Sequence, residues 1–291
     1  MKKFTRRIAI SLAALSLLGL AGLPSTSAAK TIEEAVADGK LTVGIHNRAP
    51  WGFRGPDGQV TGFHPDLVRA AFEPLGVKQI DFVISDFGAL IPGLNANRFD
   101  MIASGISITP ERCGQVVFSE PDLSVLDGLI VKKGNPKNIH SYADIAKNPD
   151  IKLSGGRGSL NTKNALDAGV PTDQVLQLTD AQATLAAILS GRADAATISA
   201  PSAQALLADP NLAGLERAMP FKGLLKADGS EAAMYTAVAF RSKDKDLRDT
   251  YNKQLAKMIA DGTVRKIMSK YGFADSDMAP SKTTLDICAG K

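Results

Sequence analysis

Short apolar runs alternate along this chain with stretches whose apolar residues recur every three to four positions, and that alternation predicts strands and helices of an α/β protein. Residues 41–45 (LTVGI), 82–84, 101–103, 126–131 (LDGLIV), 151–154 and 235–240 (YTAVAF) read as strands rich in β-branched residues, and the run after GRADA enters another. Helical faces are carried by Leu67, Ala70 and Ala71, by Leu90, Ile91 and Leu94, and by the stretch from Ala181 to Leu189 that stops at Gly191. Ser85 or Asp86 can cap the helix holding Leu90, Pro92 is tolerable only near its first turn, and Asn97 can end it. The closing run DLRDTYNKQLAKMIADGTVRKIMSKYGF predicts two amphipathic helices split at Asp261 and Gly262, with Leu247, Tyr251, Leu255 and Met258 facing a core.

Candidate chemistry gathers in residues 81–121, DFVISDFGALIPGLNANRFDMIASGISITPERCGQVVFSEP. Arg112 follows segments expected to be buried, and an arginine held at the end of a core strand can clamp a carboxylate through its planar fork. Ser104, Gly105, Ser107 and Thr109 expose amides and hydroxyls just beyond strand 101–103, at the sheet edge where ligands collect in open α/β folds. In GGRGSLNTKNAL, glycines 155, 156 and 158 with Ser159 and Asn161 at a helix start form either a polar-group cradle or a plain strand-to-helix turn. It is not a nucleotide loop, because no GK[ST] follows and the last position of the GxGxxG pattern is Asn161. Trp51, the single tryptophan, reads equally as a core plug or a cleft wall, and His64 as a turn residue. His46, His64 and His140 are too far apart for metal-ligand spacing, so neither a metal nor a cofactor is expected.

Charge changes the picture only at the start. Lys2, Lys3, Arg6 and Arg7 precede the apolar stretch 8–23 and a small-residue cleavage site near Ala28 and Ala29, the pattern of a secretory leader in residues 1–29. Its removal leaves 30 basic side chains against 30 acidic ones, so the electrostatic case for a nucleic-acid partner disappears.

The motifs LIPGL, RFDMI, ITPER and VVFSEP together resemble the signature region of the family 3 solute-binding proteins, receptors of polar amino acid ABC transporters, and the similarity covers essentially all of the chain after the leader. SDFGALIPGL, ITPERC, KKGNPK with HSYADIAKNPD, and the terminal CAGK look like the ectoine and hydroxyectoine receptors within that family. The resemblance implies a periplasmic monomer of the type II binding-protein-like fold: two α/β lobes, 30–131 with 236–291 and 132–235, joined by two hinge strands and closing on a ligand. It also implies a permease and an ATPase as partners, and a Cys113–Cys288 disulfide suited to an oxidising compartment. Carried over residue by residue, Arg112 takes a ligand carboxylate with Ser107, Thr109 and Gly105. Phe87 stacks on the ligand, Trp51 covers it, Arg48 stands in the same loop, and Ser159, Asn161 and Ser199 close from the second lobe.

Three departures from the pattern bear on the ligand. Amino acid receptors place an aspartate for the α-ammonium where Ser199 stands, and ectoine receptors place an acid at Arg48 and an aromatic ring at Ser107. Like charges about 4 Å apart cost roughly 4 kcal/mol at an effective dielectric of 20, so Arg48 disfavours a cationic ligand centre beside it. The expectation is therefore a small carboxylate-bearing solute, an amino acid, a derivative of one or an ectoine-like compatible solute, with Asp122 and Asp127 as spare acids for an amine. The alternative is a cyclohexadienyl-dehydratase-like enzyme on the same architecture. The candidate wall residues include no histidine or glutamate to act as acid or base, which favours a receptor.

Overall fold

The computed structural model describes residues 29–290, so the secretory leader expected in the first 29 residues lies almost wholly outside the described part. The first lobe is built on strands β1 (Lys40–Ile45), the hairpin β2 (Phe53–Arg54) and β3 (Val60–Thr61), β4 (Gln79–Ile84), β5 (Met101–Ser107), β6 (Val117–Phe118) and β7 (Leu123–Val125). The second holds β8 (Asp127–Lys132), β9 (Leu153–Gly156), β10 (Val175–Leu178), β11 (Ala195–Ser199) and β12 (Leu215–Arg217), and β13 (Met234–Phe240) returns the chain to the first. One sheet runs β4-β1-β5-β13-β6 with β7 also on β13, and the other runs β10-β9-β11-β8-β12. This is the two-lobe α/β architecture expected from the sequence.

The central strands are buried because their neighbours cover both faces, which is why β5 and β13 read as near-continuous apolar runs. The 82–84 run behaves differently: β4 is the sheet edge, and Val83 and Ile84 are exposed. The strand expected over 126–131 is β8, but it lies wholly in the second sheet, and the chain changes sheet at Leu126, between β7 on β13 and β8 on β11. Asn97 ends helix Leu90–Asn95 with a left-handed φ of 58°, whereas neither Ser85 nor Asp86 caps it. Leu247, Tyr251, Leu255 and Met258 are buried along helix Lys245–Ala260.

Strand β5 extends four residues past the expected end at Ala103, so Ser104, Gly105 and Ser107 belong to the ladder rather than to a loop. Gly105 permits this: its φ is 63°, and a Cβ there would overlap the indole of Trp51. His64, far from being a turn residue, is fully buried in helix Phe63–Phe72. Its Nδ1 accepts from the Gly105 amide at 3.1 Å and its Nε2 donates to Asp122 at 3.1 Å. Asp122 also accepts from the Thr236 hydroxyl at 2.5 Å, so this acid is committed to the core and is not spare for an amine. Cys113 and Cys288 are joined across a sequence separation of 175, tying helix Thr284–Cys288 to the turn Pro110–Cys113.

Candidate functional site

Strand β5 delivers the chain to Thr109, whose hydroxyl caps the single-turn helix Pro110–Cys113 by accepting from the Arg112 amide at 3.2 Å. Arg112 therefore sits on a capped turn one step beyond the strand end. Its Nη1 donates to the Ser107 carbonyl at 2.7 Å and its Nη2 to the Gly158 carbonyl of the other lobe at 2.9 Å. Three of its five N–H donors have no internal acceptor, and no carboxylate pairs with it among the described residues. Burial lowers its pKa to about 10, so it stays a cation at neutral pH.

Two such cations lie near the ring of Phe87. The guanidinium carbons of Arg48 and Arg112 each lie 5.6 Å from its ring centroid, within cation–π range. Arg48 is fixed by a tight turn in which its amide donates to Gly52 at 2.8 Å and its carbonyl accepts from Trp51 at 3.0 Å. The side chain is 9% exposed and turned inward rather than out to solvent. His46 meets the edge of Phe87 at 5.8 Å between centroids and places Nδ1 3.1 Å from the Ser85 carbonyl. Burial, then the charge of Arg48, push its pKa below the usual histidine value.

Two spaces adjoin Phe87 between the lobes. The outer cleft, about 300 Å³, is lined by Phe87, Thr109, Arg112 and Ser159 of the expected residues, together with Glu111 and Lys163. The inner one, about 20 Å³, is lined by Arg48, Phe87, Ser159 and Asn161, with His46 and Asp180 opposite. The expected wall thus gains a histidine and a glutamate that sequence reasoning left out.

Gly105, Ser107, Trp51 and Ser199 line neither space. Trp51 is 1% exposed and packs on Phe63, His64 and Phe273, which makes it a core plug. Its Nε1 reaches across the lobes to the hydroxyls of Ser199 at 3.2 Å and Ser202 at 3.0 Å, which engages Ser199. Trp51 also covers Gly105. Ser107 sits opposite Thr236 in the ladder and offers its carbonyl to Arg112 rather than its hydroxyl to the cleft.

The glycine loop of the second lobe approaches the first lobe closely and leads into a helix start. The amides of Arg157 and Ser159 are taken by the carbonyls of Leu178 and Gly156, and the Ser159 hydroxyl caps helix Leu160–Asp167. What the loop presents to the first lobe is the Gly158 carbonyl. A Cβ at Gly158 would come within 3.3 Å of the Gly88 Cα, a tight approach between the lobes.

Asn161 lines the inner space, yet its amide nitrogen donates to Asp127 at 2.6 Å, and Asn164 donates to the same carboxylate at 2.9 Å. Asp127 is therefore an internal clamp of the second lobe, not a spare acid. Burial raises its pKa to about 6 against those hydrogen bonds. A folded-state pKa above the unfolded value means stability fully present below about pH 4 that is lost as the pH rises through 6. The amount is on the order of 3 kcal/mol. Urea denaturation at pH 4 and pH 7 is expected to show this component in the parent protein and not in Asp127→Asn. An identical pH dependence in both would remove the assignment.

The model of the bacterial extracellular solute-binding proteins, family 3, matches residues 41–274. The chain belongs to this family. A probable amino-acid ABC transporter periplasmic-binding protein of Sinorhizobium fredii is 38% identical over 287 residues, covering 97% of this chain and 93% of the relative. The lysine/arginine/ornithine-binding periplasmic protein of Escherichia coli is 32% identical over 263 residues, covering 90% and 96%. Among solved structures, EhuB in complex with hydroxyectoine superposes with a TM-score of 0.79 at 36% identity, covering 89% of this chain and 98% of that one. The ancestral amino acid-binding protein AncCDT-1, described as a precursor of cyclohexadienyl dehydratase, gives 0.72 at 30% identity, covering 83% and 99%. The fold is that of the type II binding proteins, and the role these similarities support is substrate binding for an ABC transporter.

Proposed function

We propose that this protein is the periplasmic receptor of an ABC importer and captures a small carboxylate-bearing solute, derived from or related to amino acids, between its two lobes. It is exported by its leader, cleaved near Ala28 and Ala29, and acts as a monomer that hands the solute to a permease driven by an ATPase. The observation that carries this reading is Arg112: a cation at the interlobe cleft, held by two carbonyls, with donors to spare and no internal acid. Its bond to Gly158 runs across the cleft, so the same side chain that meets the solute also senses lobe closure. Phe87 supplies the apolar plate beside it, and Thr109 and Ser159 stand at the rim.

The receptor is not an enzyme in this reading. His46 and Glu111 add acid–base groups to the wall, and prephenate turnover is the assay that would establish catalysis instead. Thermal-shift screening tests the main proposal. A bound carboxylate at 100 times its Kd is expected to add about 2.7 kcal/mol of stability. Stabilisation by a lysine-type cationic amino acid, with none from acidic or neutral carboxylates, would refute it.

A further inference from the structure

Arg48 is a buried cation without an internal counterpart. Its side chain makes no hydrogen bond or ion pair among the described residues, its Nε is sealed from solvent, and its guanidinium lies over the ring of Phe87. Removing an ion from water costs several kcal/mol unless a partner restores the interaction. Here burial lowers the pKa only to about 10, so the charge persists at neutral pH.

The acids around this corner do not answer it. Asp180 faces the same inner space but spends one oxygen on the Ala183 amide at 2.7 Å as a helix cap, and Asp86 is exposed. Neither forms an ion pair with Arg48, and His46 adds no anion. The turn through Gly52 and Trp51 holds the arginine where it is. Because both arginines lie 5.6 Å from one ring centroid, their charges are separated by at most twice that distance. A short diacid, with a guanidinium–carboxylate pair at each end, spans such a gap.

We infer that Arg48 is a second anion-binding residue of the solute site and that the solute carries two carboxylates, one on Arg112 and one on Arg48. This rests on the reading of the interlobe cleft as the site of capture. A ligand with a neutral or cationic tail leaves Arg48 desolvated and unpaired on closure, which is a penalty against solutes such as those for which the lysine/arginine/ornithine-binding relative is named. The same residue therefore selects for diacids and against cationic amino acids.

Two measurements test this. First, solute released from protein purified without denaturation is methyl-esterified and weighed by mass spectrometry. Addition of two methyl groups is expected. Addition of one overturns the diacid inference while leaving the receptor reading intact, and a solute with no carboxylate overturns both. Second, calorimetry on stripped protein compares L-glutamate with L-glutamine and glutarate with its monoamide. At least one diacid is expected to bind tenfold or more tighter than its amide, and Arg48→Met is expected to shrink that gap below threefold. Amides that bind as well as the acids, a gap untouched in Arg48→Met, or failure of both diacids to bind would each count against Arg48. Thermal melting of the stripped variant serves as the folding control.

Discussion

Arg112→Ala is expected to weaken solute capture by at least a hundredfold while the ligand-free protein still folds. Removing one partner of a buried, hydrogen-bonded charge pair costs about 3–5 kcal/mol. A micromolar receptor has only about 8 kcal/mol to lose. The substitution also deletes the bond from Nη2 to the Gly158 carbonyl, so the closed arrangement loses one of its cross-lobe ties together with the anion contact. Folding is spared because the side chain holds no core acid and its turn remains capped by Thr109 and fastened by Cys113. Arg112→Lys is expected to fall between, since an ammonium keeps the charge but cannot present two parallel donors. Isothermal titration of both variants decides the matter, and affinity for the native solute within tenfold of the parent in Arg112→Ala would remove Arg112 from the site.

Asp122→Ala is expected to destabilise the fold by about 3–5 kcal/mol, the largest stability effect we predict for a single residue. Asp122 is fully buried and accepts from the Thr236 hydroxyl at 2.5 Å and from His64 Nε2 at 3.1 Å. His64 in turn accepts from the Gly105 amide through Nδ1, which fixes its proton on Nε2 and aims it at the carboxylate. Removing the acid strands a hydroxyl and an imidazole N–H in a dry interior beneath the hinge. Asp122→Asn keeps an acceptor oxygen and is expected to lose markedly less. Urea denaturation measures both, and a loss under about 1 kcal/mol in Asp122→Ala would show that the network contributes little.

The fold was legible because burial and period agree in its main elements. The apolar runs of β1, β5 and β13 and the spacing of Leu247, Tyr251, Leu255 and Met258 admit few other readings. Within the site, Phe87, Thr109, Arg112 and Ser159 were expected together from the family resemblance, and all four line the outer cleft. Gly105, Ser107 and Ser199 were expected at the ligand from the family pattern, and a pattern of residues does not report which face of a strand each side chain takes. Strand β5 ran further than its polar letters indicated because Gly105 and the indole above it complete a packed layer. His46 and Asp180 escaped notice for another reason: the inner space is assembled from segments remote in sequence, and Asp180 carries the signature of an ordinary helix cap. Arg48 was flagged as a departure, but only its burial beside Phe87 shows that it turns inward.

The bond between Cys113 and Cys288 places a condition on how the receptor is made. It joins residues 175 apart, so it can close only once helix Thr284–Cys288 has packed beside the turn Pro110–Cys113. A molecule kept reduced would carry the turn that holds Arg112 untethered even where both sheets have formed.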